Sequence, residues 1–447
     1  MNVKIEYVQE RNCMFKRLKS PLNTQIEVTS SCTSKCQHCY NFWRNSCNDK
    51  PPNTKILREF DAEIIIQKLS DAEIFHIVVT GGEPLLNFQT CLTCIKVARK
   101  KRIGVSMNSN LVLLTPKKAE LLAEAGLRHI LTSVLGPTAE IHDQLTQRQG
   151  SFKRLIVGIK NAQSAGINVS TNMVITQLNF AHIRSTAELV KNLGITKFTA
   201  TRAGCPGNCP DFSRLALSHD QLIQYLNTLI QLNKELGLDV DVLEPIPYCG
   251  LYGVTNPMQF TSRKCCAGIT TMTVSYDGTV RPCSHFDESY GNLLAEDLDA
   301  VWSRMDPWRQ GDNIPGECRA CALLPLCCGG CRMEAKMRGG GLNKLDPFAT
   351  PEHSLEIEKI IKNSIRPVLK SELIHFRTVN FRLRKEVFGG VVSVNSNERV
   401  LLDQRGYEIL CQLSPNTFYK TATATIDWKG LDPQQFVSGL FTRHVVE

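Results

Sequence analysis

Short apolar runs rich in β-branched residues alternate with segments of helical period through the first half of the chain. The runs are five to seven residues long and lie at 25–29, 74–80, 103–107, 129–133, 169–175 and 197–201. Segments with helical spacing lie between them at 61–70, 117–125, 153–165 and 182–193. Alternating strands and helices predict parallel βαβ units, so the expected fold class is α/β.

The pattern changes near residue 265. Two β-prone runs, 273–276 and 279–281, flank Asp277 and Gly278 and predict a tight hairpin. Helical segments follow at 298–305 and 351–369. Beyond them we expect strands at 376–383, 386–394 and 400–403, a polar turn at 395–398, and helices at 405–413 and 433–443. The order β-β-β-α-α predicts a small winged-helix-like α+β domain.

Composition narrows the classes of protein that the chain could represent. Its 447 residues are 42% hydrophobic and 21% charged, which is ordinary for a globular protein. No run approaches the roughly 20 apolar residues of a membrane span, and the first residues lack a secretion signal. We therefore expect a cytoplasmic protein whose 19 cysteines are metal ligands or free thiols. The modest charge of +9 does not call for nucleic acid.

Three cysteines follow the first predicted strand at close spacing. Cys32, Cys36 and Cys39 are separated by three and then two residues. Three thiolates can hold three irons of a [4Fe–4S] cube and leave the fourth iron without a protein ligand, unlike closed electron-transfer clusters. A zinc knuckle or unrelated structural cysteines are the alternatives. The second predicted strand ends in Gly81, Gly82, Glu83 and Pro84, where glycines allow close approach of a ligand.

Together these two motifs resemble those of the radical S-adenosylmethionine (SAM) superfamily. The resemblance implies a partial (β/α)6 barrel in which SAM chelates the open iron and the Gly-Gly-Glu-Pro motif binds its amino group. His38 stands where the family packs a ring against adenine. Further candidate SAM contacts lie beside the third cysteine and at later strand ends: Tyr40, Asn108, Asn110, Ser133 and Arg202.

A second cysteine framework begins at the predicted hairpin. Cys266 and Cys283 bracket the hairpin, and a later group has spacings of two, five and three residues. The later group is Cys318, Cys321, Cys327 and Cys331. Structural zinc is the serious alternative. The pattern resembles the SPASM extension of radical SAM enzymes. That resemblance implies two auxiliary [4Fe–4S] clusters, cluster I on Cys266, Cys283 and Cys331 and cluster II on Cys318, Cys321 and Cys327.

The framework differs from the SPASM pattern in the residues that are available as the fourth ligands of the two clusters. A closing cysteine is expected after Cys331, yet residues 345–349 contain none. Asp346 or Cys328 could complete cluster II, or that cluster could be labile. Cys249 or Cys265 could close cluster I, or an open iron there could bind a substrate thiolate. The other cysteines of the first half are expected to be free thiols or packing residues: Cys47, Cys91, Cys94, Cys205 and Cys209.

The last segment resembles a PqqD-like leader-binding domain of ribosomal peptide-modifying pathways, in which a leader peptide adds a strand to a sheet edge. A DNA-binding winged helix is the alternative. Basic side chains could serve either partner: Arg377, Arg382, Arg384, Lys385 and Arg399. The expected domains are a barrel at 1–245, a SPASM domain at 246–350, a helical linker at 351–373 and the peptide-recognition domain at 374–447.

The combined resemblance implies a radical SAM/SPASM maturase that modifies a ribosomally made precursor peptide. A 5′-deoxyadenosyl radical would abstract hydrogen, a thioether or carbon–carbon crosslink would form, and a flavodoxin or ferredoxin would donate electrons. No nucleic acid or membrane partner is expected. Three alternatives stay open: a tetrapyrrole-modifying enzyme, an iron–sulfur DNA-binding regulator, and a sulfatase-type maturase, which would need an acid where Ser284 follows Cys283.

Overall fold

Strands and helices alternate along the first three-quarters of the computed structural model. The structure describes residues 15–41, 55–206, 210–364, 375–394, 398–420 and 426–431, with 433, 436, 437, 440, 445 and 446. Clustering of contacts divides the chain into two compact units. One unit is Pro21–Lys362, and the other combines Met1–Ser20 with Asn363–Glu447.

Nine described strands of the larger unit form one sheet. They are β1 (Asn23–Glu27), β2 (His76–Thr80), β3 (Gly104–Asn108), β4 (His129–Ser133), β5 (Asn168–Ile175), β6 (Lys197–Arg202), β7 (Asp239–Asp241), β8 (Thr271–Val274) and β9 (Val280–Arg281). Their order is β7-β6-β5-β4-β3-β2-β1-β8-β9. Neighbours from β7 to β8 pair in parallel, and β8 pairs with β9 antiparallel.

Helices connect the parallel strands. Those of the barrel are α1 (Glu59–Asp71), α2 (Phe88–Lys100), α3 (Pro116–Glu124), α4 (Ala139–Thr146), α5 (Ser151–Ser164), α6 (Ile183–Asn192) and α7 (His219–Leu236). The sequence marks their ends. Thr115 caps α3 by accepting a hydrogen bond from the Lys118 amide, and Pro116 follows at the first helical position. A capping box of Ser218 and Gln221 starts α7, and Gly237 ends it in the left-handed conformation at φ +67°.

The core of the larger unit lies between the sheet and these helices. Ile26, Ile77 and Ile130 on the strands and Ile65 and Leu122 on the helices are completely buried. The α/β fold with a parallel sheet, predicted from the alternating pattern, is confirmed. The six predicted strands are present with shifts of at most two residues at their ends, and β7 adds a short strand that was not predicted.

The predicted hairpin of the cysteine-rich region continues the barrel sheet. Strand β8 pairs with β1 in parallel, with Asn23 opposite Thr271 and Ile26 opposite Val274. The turn between β8 and β9 closes through hydrogen bonds of the Ser275 and Gly278 amides. Short helices follow: α8 (Leu298–Ser303), α9 (Asp306–Gln310), α10 (Leu324–Cys327), α11 (Arg332–Gly339) and α12 (Ser354–Ser364).

The smaller unit contains two antiparallel sheets among its described residues. Its elements are β10 (His375–Arg377), β11 (Phe381–Glu386), β12 (Gly389–Val394), β13 (Glu398–Asp403), α13 (Gln404–Cys411) and β14 (Phe418–Lys420). Strands β11, β12 and β13 pair in that order, and β10 pairs with β14. Phe376, Val392, Leu402, Leu410 and Val437 contribute to its apolar core.

The predicted strand at 376–383 is divided in the structure. Its first part is β10, its second part belongs to β11, and Thr378 between them pairs with Val446 in an isolated antiparallel bridge. Residues 395–397 of the predicted turn, 365–374 of the predicted linker and most of the predicted helix 433–443 lie outside the described residues. No helix that the structure describes is both long enough and apolar enough to cross a membrane.

Candidate cluster and cofactor site

The Gly-Gly-Glu-Pro turn after β2 lies directly against the segment that leads into the first cysteine loop. The Gly82 amide donates to the Thr29 carbonyl at 2.8 Å, and the Glu83 amide donates to the Ser31 carbonyl at 2.7 Å. A Cβ atom on Gly82 would lie 2.1 Å from the Ser31 oxygen. Gly81 has φ +148°, and its Cβ would lie 2.6 Å from the Thr29 oxygen. Glycine is therefore required at both positions.

Glu83 is fixed by three donors at the ends of two strands. Its Oε1 accepts from the Leu85 amide at 3.0 Å and from the Ser109 hydroxyl at 2.7 Å. Its Oε2 accepts from the Asn110 amide at 2.8 Å. Burial raises the pKa of Glu83, and these hydrogen bonds oppose the shift. Oε2 keeps a lone pair for a further donor, such as the ammonium group predicted to bind here.

Asn110 and Asn41 connect the cysteine loop to these strand ends. The Asn110 side chain donates to the Thr33 hydroxyl at 2.9 Å, and its Nδ2 lies 3.7 Å from the Cys32 sulfur. The buried Asn41 amide donates to the Gly81 carbonyl at 3.3 Å. Both ends of the loop are thus held by β2 and β3, and Asn41 is a residue that the sequence analysis did not single out.

Helix α4 supports the middle of the same loop. The Lys35 amide donates to the Thr146 carbonyl at 2.9 Å, and the Gln37 amide donates to the Leu145 carbonyl at 3.1 Å. Burial and then the neighbouring Cys39 thiol raise the pKa of Cys36 to about 12. Thiolates are the ligands that iron binds, so metal binding would release protons from this loop.

His38 has the properties of a ring kept available for a ligand. Burial and then the charge of His142 lower its pKa to about 4, so the imidazole is neutral. No group among the described residues hydrogen-bonds its buried Nδ1. His142 is itself fixed, because its Nδ1 accepts from the Leu135 amide at 3.2 Å. An unpaired buried nitrogen is costly, and a bound ligand could satisfy it.

Tyr40 and Arg281 connect the first cysteine loop to the hairpin of the second framework. The Tyr40 ring stacks on the His285 ring with centroids 4.2 Å apart. Arg281 forms a buried ion pair with Glu27, and it donates to the carbonyls of Ser284 at 3.0 Å and Phe286 at 2.9 Å. Burial raises the pKa of Glu27 to about 7 despite this pairing. The loop after Cys283 is therefore held against the barrel.

The second framework places Cys265 close to two of the predicted ligands of cluster I. Burial and then the charge of the Cys265 thiol raise the pKa of Cys283 to about 12. The same two causes raise the pKa of Cys331. Cys266, the predicted ligand, directs its Sγ to the Lys264 carbonyl at 3.3 Å. Within the described chain, no three His, Cys, Asp or Glu side chains are placed to hold a single metal ion.

Arg202 and Asp346 lie in one buried ion-pair network. The Arg202 guanidinium lies 3.1 Å from Asp346 and 3.4 Å from Glu334. Asp346 also accepts from the amides of Cys331 at 2.8 Å and Phe348 at 3.0 Å. Burial disfavours the charge of Arg202, but these carboxylates raise its pKa above the ordinary value. The side chains of Arg202 and Asp346 therefore pair with each other. Arg202 was predicted as a SAM contact and Asp346 as a cluster ligand.

The remaining candidates occupy varied positions. Asn108 and Ser133 are half-buried at the ends of β3 and β4. Cys91 and Cys94 lie on the buried face of α2, and Cys205 lies in a small apolar cluster with Phe212. Cys47 and Cys209 lie outside the described residues.

Two family models match the chain over the regions just described. Residues 26–190 match the radical SAM superfamily, and residues 265–322 match the iron–sulfur cluster-binding SPASM domain. The chain therefore contains a radical SAM domain and a SPASM domain, and it is an enzyme. A radical SAM domain binds a [4Fe–4S] cluster and SAM, and a SPASM domain binds auxiliary iron–sulfur clusters.

Relatives that match most of this chain have different activities. An AdoMet-dependent heme synthase of Oleidesulfovibrio alaskensis is 23% identical over 339 residues, which are 72% of this chain and 86% of that enzyme. A PqqA peptide cyclase of Gluconobacter oxydans is 23% identical over 359 residues, 78% of this chain and 96% of that enzyme. The structure of native anSMEcpe with bound AdoMet has a TM-score of 0.60 and 18% identity. That likeness covers 77% of this chain and 100% of the other and concerns the fold.

The donor set of the first loop fits the expected cofactors. Three cysteines on a short loop provide soft sulfur ligands for iron, and none of the three is placed in a disulfide. Glu83 and the unpaired nitrogen of His38 are candidate polar contacts for SAM. We assign Cys32, Cys36 and Cys39 as the candidate ligands on this basis.

Ser109 provides a test of the Glu83 anchor. Replacing Ser109 with alanine should lower the free energy of unfolding by about 1–3 kcal/mol, because a buried carboxylate oxygen loses a hydroxyl donor. Urea denaturation followed by circular dichroism measures this. Ser289→Ala removes a hydroxyl whose contacts are exposed and should cost less than about 0.5 kcal/mol. Equal effects of the two variants would contradict the anchoring role.

Proposed function

We propose that this enzyme modifies a ribosomally synthesised precursor peptide in the cytoplasm. When bound, the reduced cluster and SAM supply a 5′-deoxyadenosyl radical that removes hydrogen from a residue of the peptide. A thioether or a carbon–carbon crosslink is the proposed product, with electrons from a flavodoxin or ferredoxin. The chain's own residues hold the reactants: Glu83 orients the amino group of SAM, and His38 contributes a neutral ring.

One observation carries the choice of a peptide substrate. Beyond the barrel and the cysteine-rich region, the chain has a separate unit with the three-stranded sheet β11-β12-β13. Strand β12 is the inner strand, so β11 and β13 are the outer strands among the described residues. An extended peptide can add to an outer strand through main-chain hydrogen bonds. This supports a PqqD-like leader-binding role, and a relative that cyclises the PqqA peptide supports the same substrate class.

Two basic residues of this unit, Arg384 and Arg377, make contacts within the unit. Arg384 is buried and forms an ion pair with Glu386 at 2.7 Å, and it also donates to the Ser20 carbonyl at 2.9 Å. Arg377 lies over the Phe418 ring, 5.2 Å from its centroid. Arg384 is therefore a structural residue of the unit. Leader recognition is assigned to the main chain of an outer strand and to exposed side chains such as Leu401.

Tetrapyrrole chemistry is the second candidate function. The heme synthase relative is matched over 86% of its length, so most of that enzyme corresponds to this chain. A heme synthase would act on a porphyrin and would not require a peptide. The two candidates differ in the substrate that stimulates formation of 5′-deoxyadenosine.

The deciding experiment uses the anaerobically reconstituted full chain with SAM and dithionite. The probe is the peptide encoded by a short reading frame beside the gene. We expect 5′-deoxyadenosine and a peptide product two mass units lighter, because each crosslink removes two hydrogens. Cys36→Ala should abolish both. Turnover with an iron porphyrin and none with the peptide would support the heme synthase function and contradict this proposal.

A paired substitution tests leader binding. Leu401→Asp on the partly exposed β13 should weaken binding of the same peptide at least tenfold, since it places a charge beside the added strand. Val387→Asp introduces the same charge at a turn position that is 91% exposed and should leave binding unchanged. Fluorescence anisotropy of labelled peptide measures both. Duplex DNA binding with steep salt dependence would instead indicate a regulator.

A further inference from the structure

The candidate ligands of auxiliary cluster II are one short of four. Cys318, Cys321 and Cys327 lie on one stretch of chain, and the next cysteine after Cys331 is Cys411. Cys411 belongs to the other compact unit. A closed electron-transfer cluster takes four cysteines. Within the larger unit, the fourth ligand is therefore a donor other than a cysteine downstream of Cys331, or an iron stays open.

A short 3₁₀ helix that precedes the hairpin lies against this stretch of chain. The helix is Tyr248–Leu251. The Tyr248 amide donates to the Cys327 sulfur at 3.3 Å, and the Tyr248 hydroxyl donates to the Thr261 carbonyl and lies 3.2 Å from the Leu326 carbonyl oxygen. Cys249 follows Tyr248 directly. Its backbone is thus within one residue of a hydrogen bond to a candidate ligand.

The same helix also lies against the segment where a closing cysteine was expected. The Thr350 hydroxyl donates to the Cys249 carbonyl at 2.7 Å. A Cβ atom on Gly250 would lie 2.2 Å from the Phe348 oxygen, so the two backbones are in direct contact. Residues 345–349 contain no cysteine, but Cys249 lies beside this segment.

The electrostatic neighbours of Cys249 are the three candidate ligands. The Cys249 thiol interacts electrostatically with the thiols of Cys318 and Cys327. The Cys321 thiol interacts with Cys249 in the same way. Such mutual effects arise only between thiols that lie close together.

Asp346 and Cys328, the two other residues considered as the fourth ligand of cluster II, have other neighbours. Asp346 is completely buried and accepts from Arg202, the Cys331 amide and the Phe348 amide. Cys328 is buried, and the charges of Lys264, Cys265 and Cys266 act on its thiol more strongly than that of Cys327.

We propose that Cys249 is the fourth ligand of auxiliary cluster II, together with Cys318, Cys321 and Cys327. The ligand comes from upstream of the hairpin instead of from downstream of Cys331. Cys265 then remains near Cys283 and Cys331 for cluster I. The assignment goes beyond the proposed function, because it does not depend on the substrate.

Iron content and spectroscopy of the reconstituted full chain test the assignment without a substrate. The background carries Cys32→Ala, Cys36→Ala and Cys39→Ala, so that only auxiliary clusters contribute. Adding Cys249→Ala should remove up to about four irons per chain, or convert cluster II to a three-iron form with its own electron paramagnetic resonance signal. Cys328→Ala is the matched control and should retain the parent iron content and spectrum.

Cys249→Ser distinguishes the loss of a cluster ligand from the loss of the fold. Serine has nearly the same size and can ligate iron through oxygen, so we expect a retained cluster with an altered signal and a lowered midpoint potential. An unchanged iron content and spectrum in both Cys249 variants would overturn the proposal. Loss of iron in Cys328→Ala, with Cys249→Ala unaffected, would overturn it in favour of Cys328.

Discussion

Replacing Gly82 with alanine is expected to reduce SAM cleavage at least about 100-fold while the chain remains folded. The added Cβ would lie 2.1 Å from the oxygen and 2.5 Å from the carbonyl carbon of Ser31. Both atoms belong to the backbone, so no side chain can rotate to relieve the contact. Ser31 directly precedes Cys32, and a displacement of about 1 Å at a reacting centre can cost about 100-fold in rate.

The measurement is 5′-deoxyadenosine formation with dithionite, accompanied by iron content and circular dichroism. Gly316→Ala is the matched control. Gly316 has no atom within 4 Å of an added Cβ and no positive φ, so its variant should keep the parent rate. A Gly82→Ala enzyme with the parent rate would show that the contact between the two turns does not position the cysteine loop.

The barrel could be predicted because its signals are local. Strand β4 occurs at the predicted residues 129–133, where the β-branched Ile130 and Thr132 are buried and fit a strand. Helices α4 and α7 were not predicted individually. Helix α4 becomes informative only when its carbonyls accept from the amides of Lys35 and Gln37, which lie far away in the chain.

The site could be predicted only where a motif coincides with a strand end. Glycines at 81 and 82 were predicted to allow close approach, and the structure shows that the approaching group includes the backbone of Ser31. The donor to Glu83 is Ser109, between the two asparagines that were named. Serine at a strand end is a common turn residue, so nothing in the sequence distinguishes it.

Long-range ion pairs could not be predicted at all. Arg202 lies at the end of β6, where a ligand contact is a reasonable expectation. Its partners Glu334 and Asp346 are more than 130 residues away in the chain. The pairing depends on how α11 packs against the barrel within the larger unit, which neither periodicity nor local spacing encodes.

Replacing Arg202 with methionine should destabilise the larger unit by about 3–5 kcal/mol, because it leaves buried carboxylates without their counter-charge. The Arg202 side chain is 2% exposed, and those of Asp346 and Glu334 are 0% and 6% exposed. Arg184 pairs with Glu235 at 2.5 Å with side chains 44% and 52% exposed. Arg184→Met should therefore cost less than about 1 kcal/mol.

The loss of stability caused by Arg202→Met should also depend on pH. Burial raises the pKa of Glu244, which lies in the same network, and Arg202 opposes that shift. Without Arg202 the folded state favours protonated Glu244 more strongly than the unfolded state does, so stability rises as pH falls. Urea unfolding at pH 8 and pH 5.5 should show a smaller difference between variant and parent at the lower pH. A constant difference would mean that the loss comes from packing of the arginine stem and not from unpaired charge.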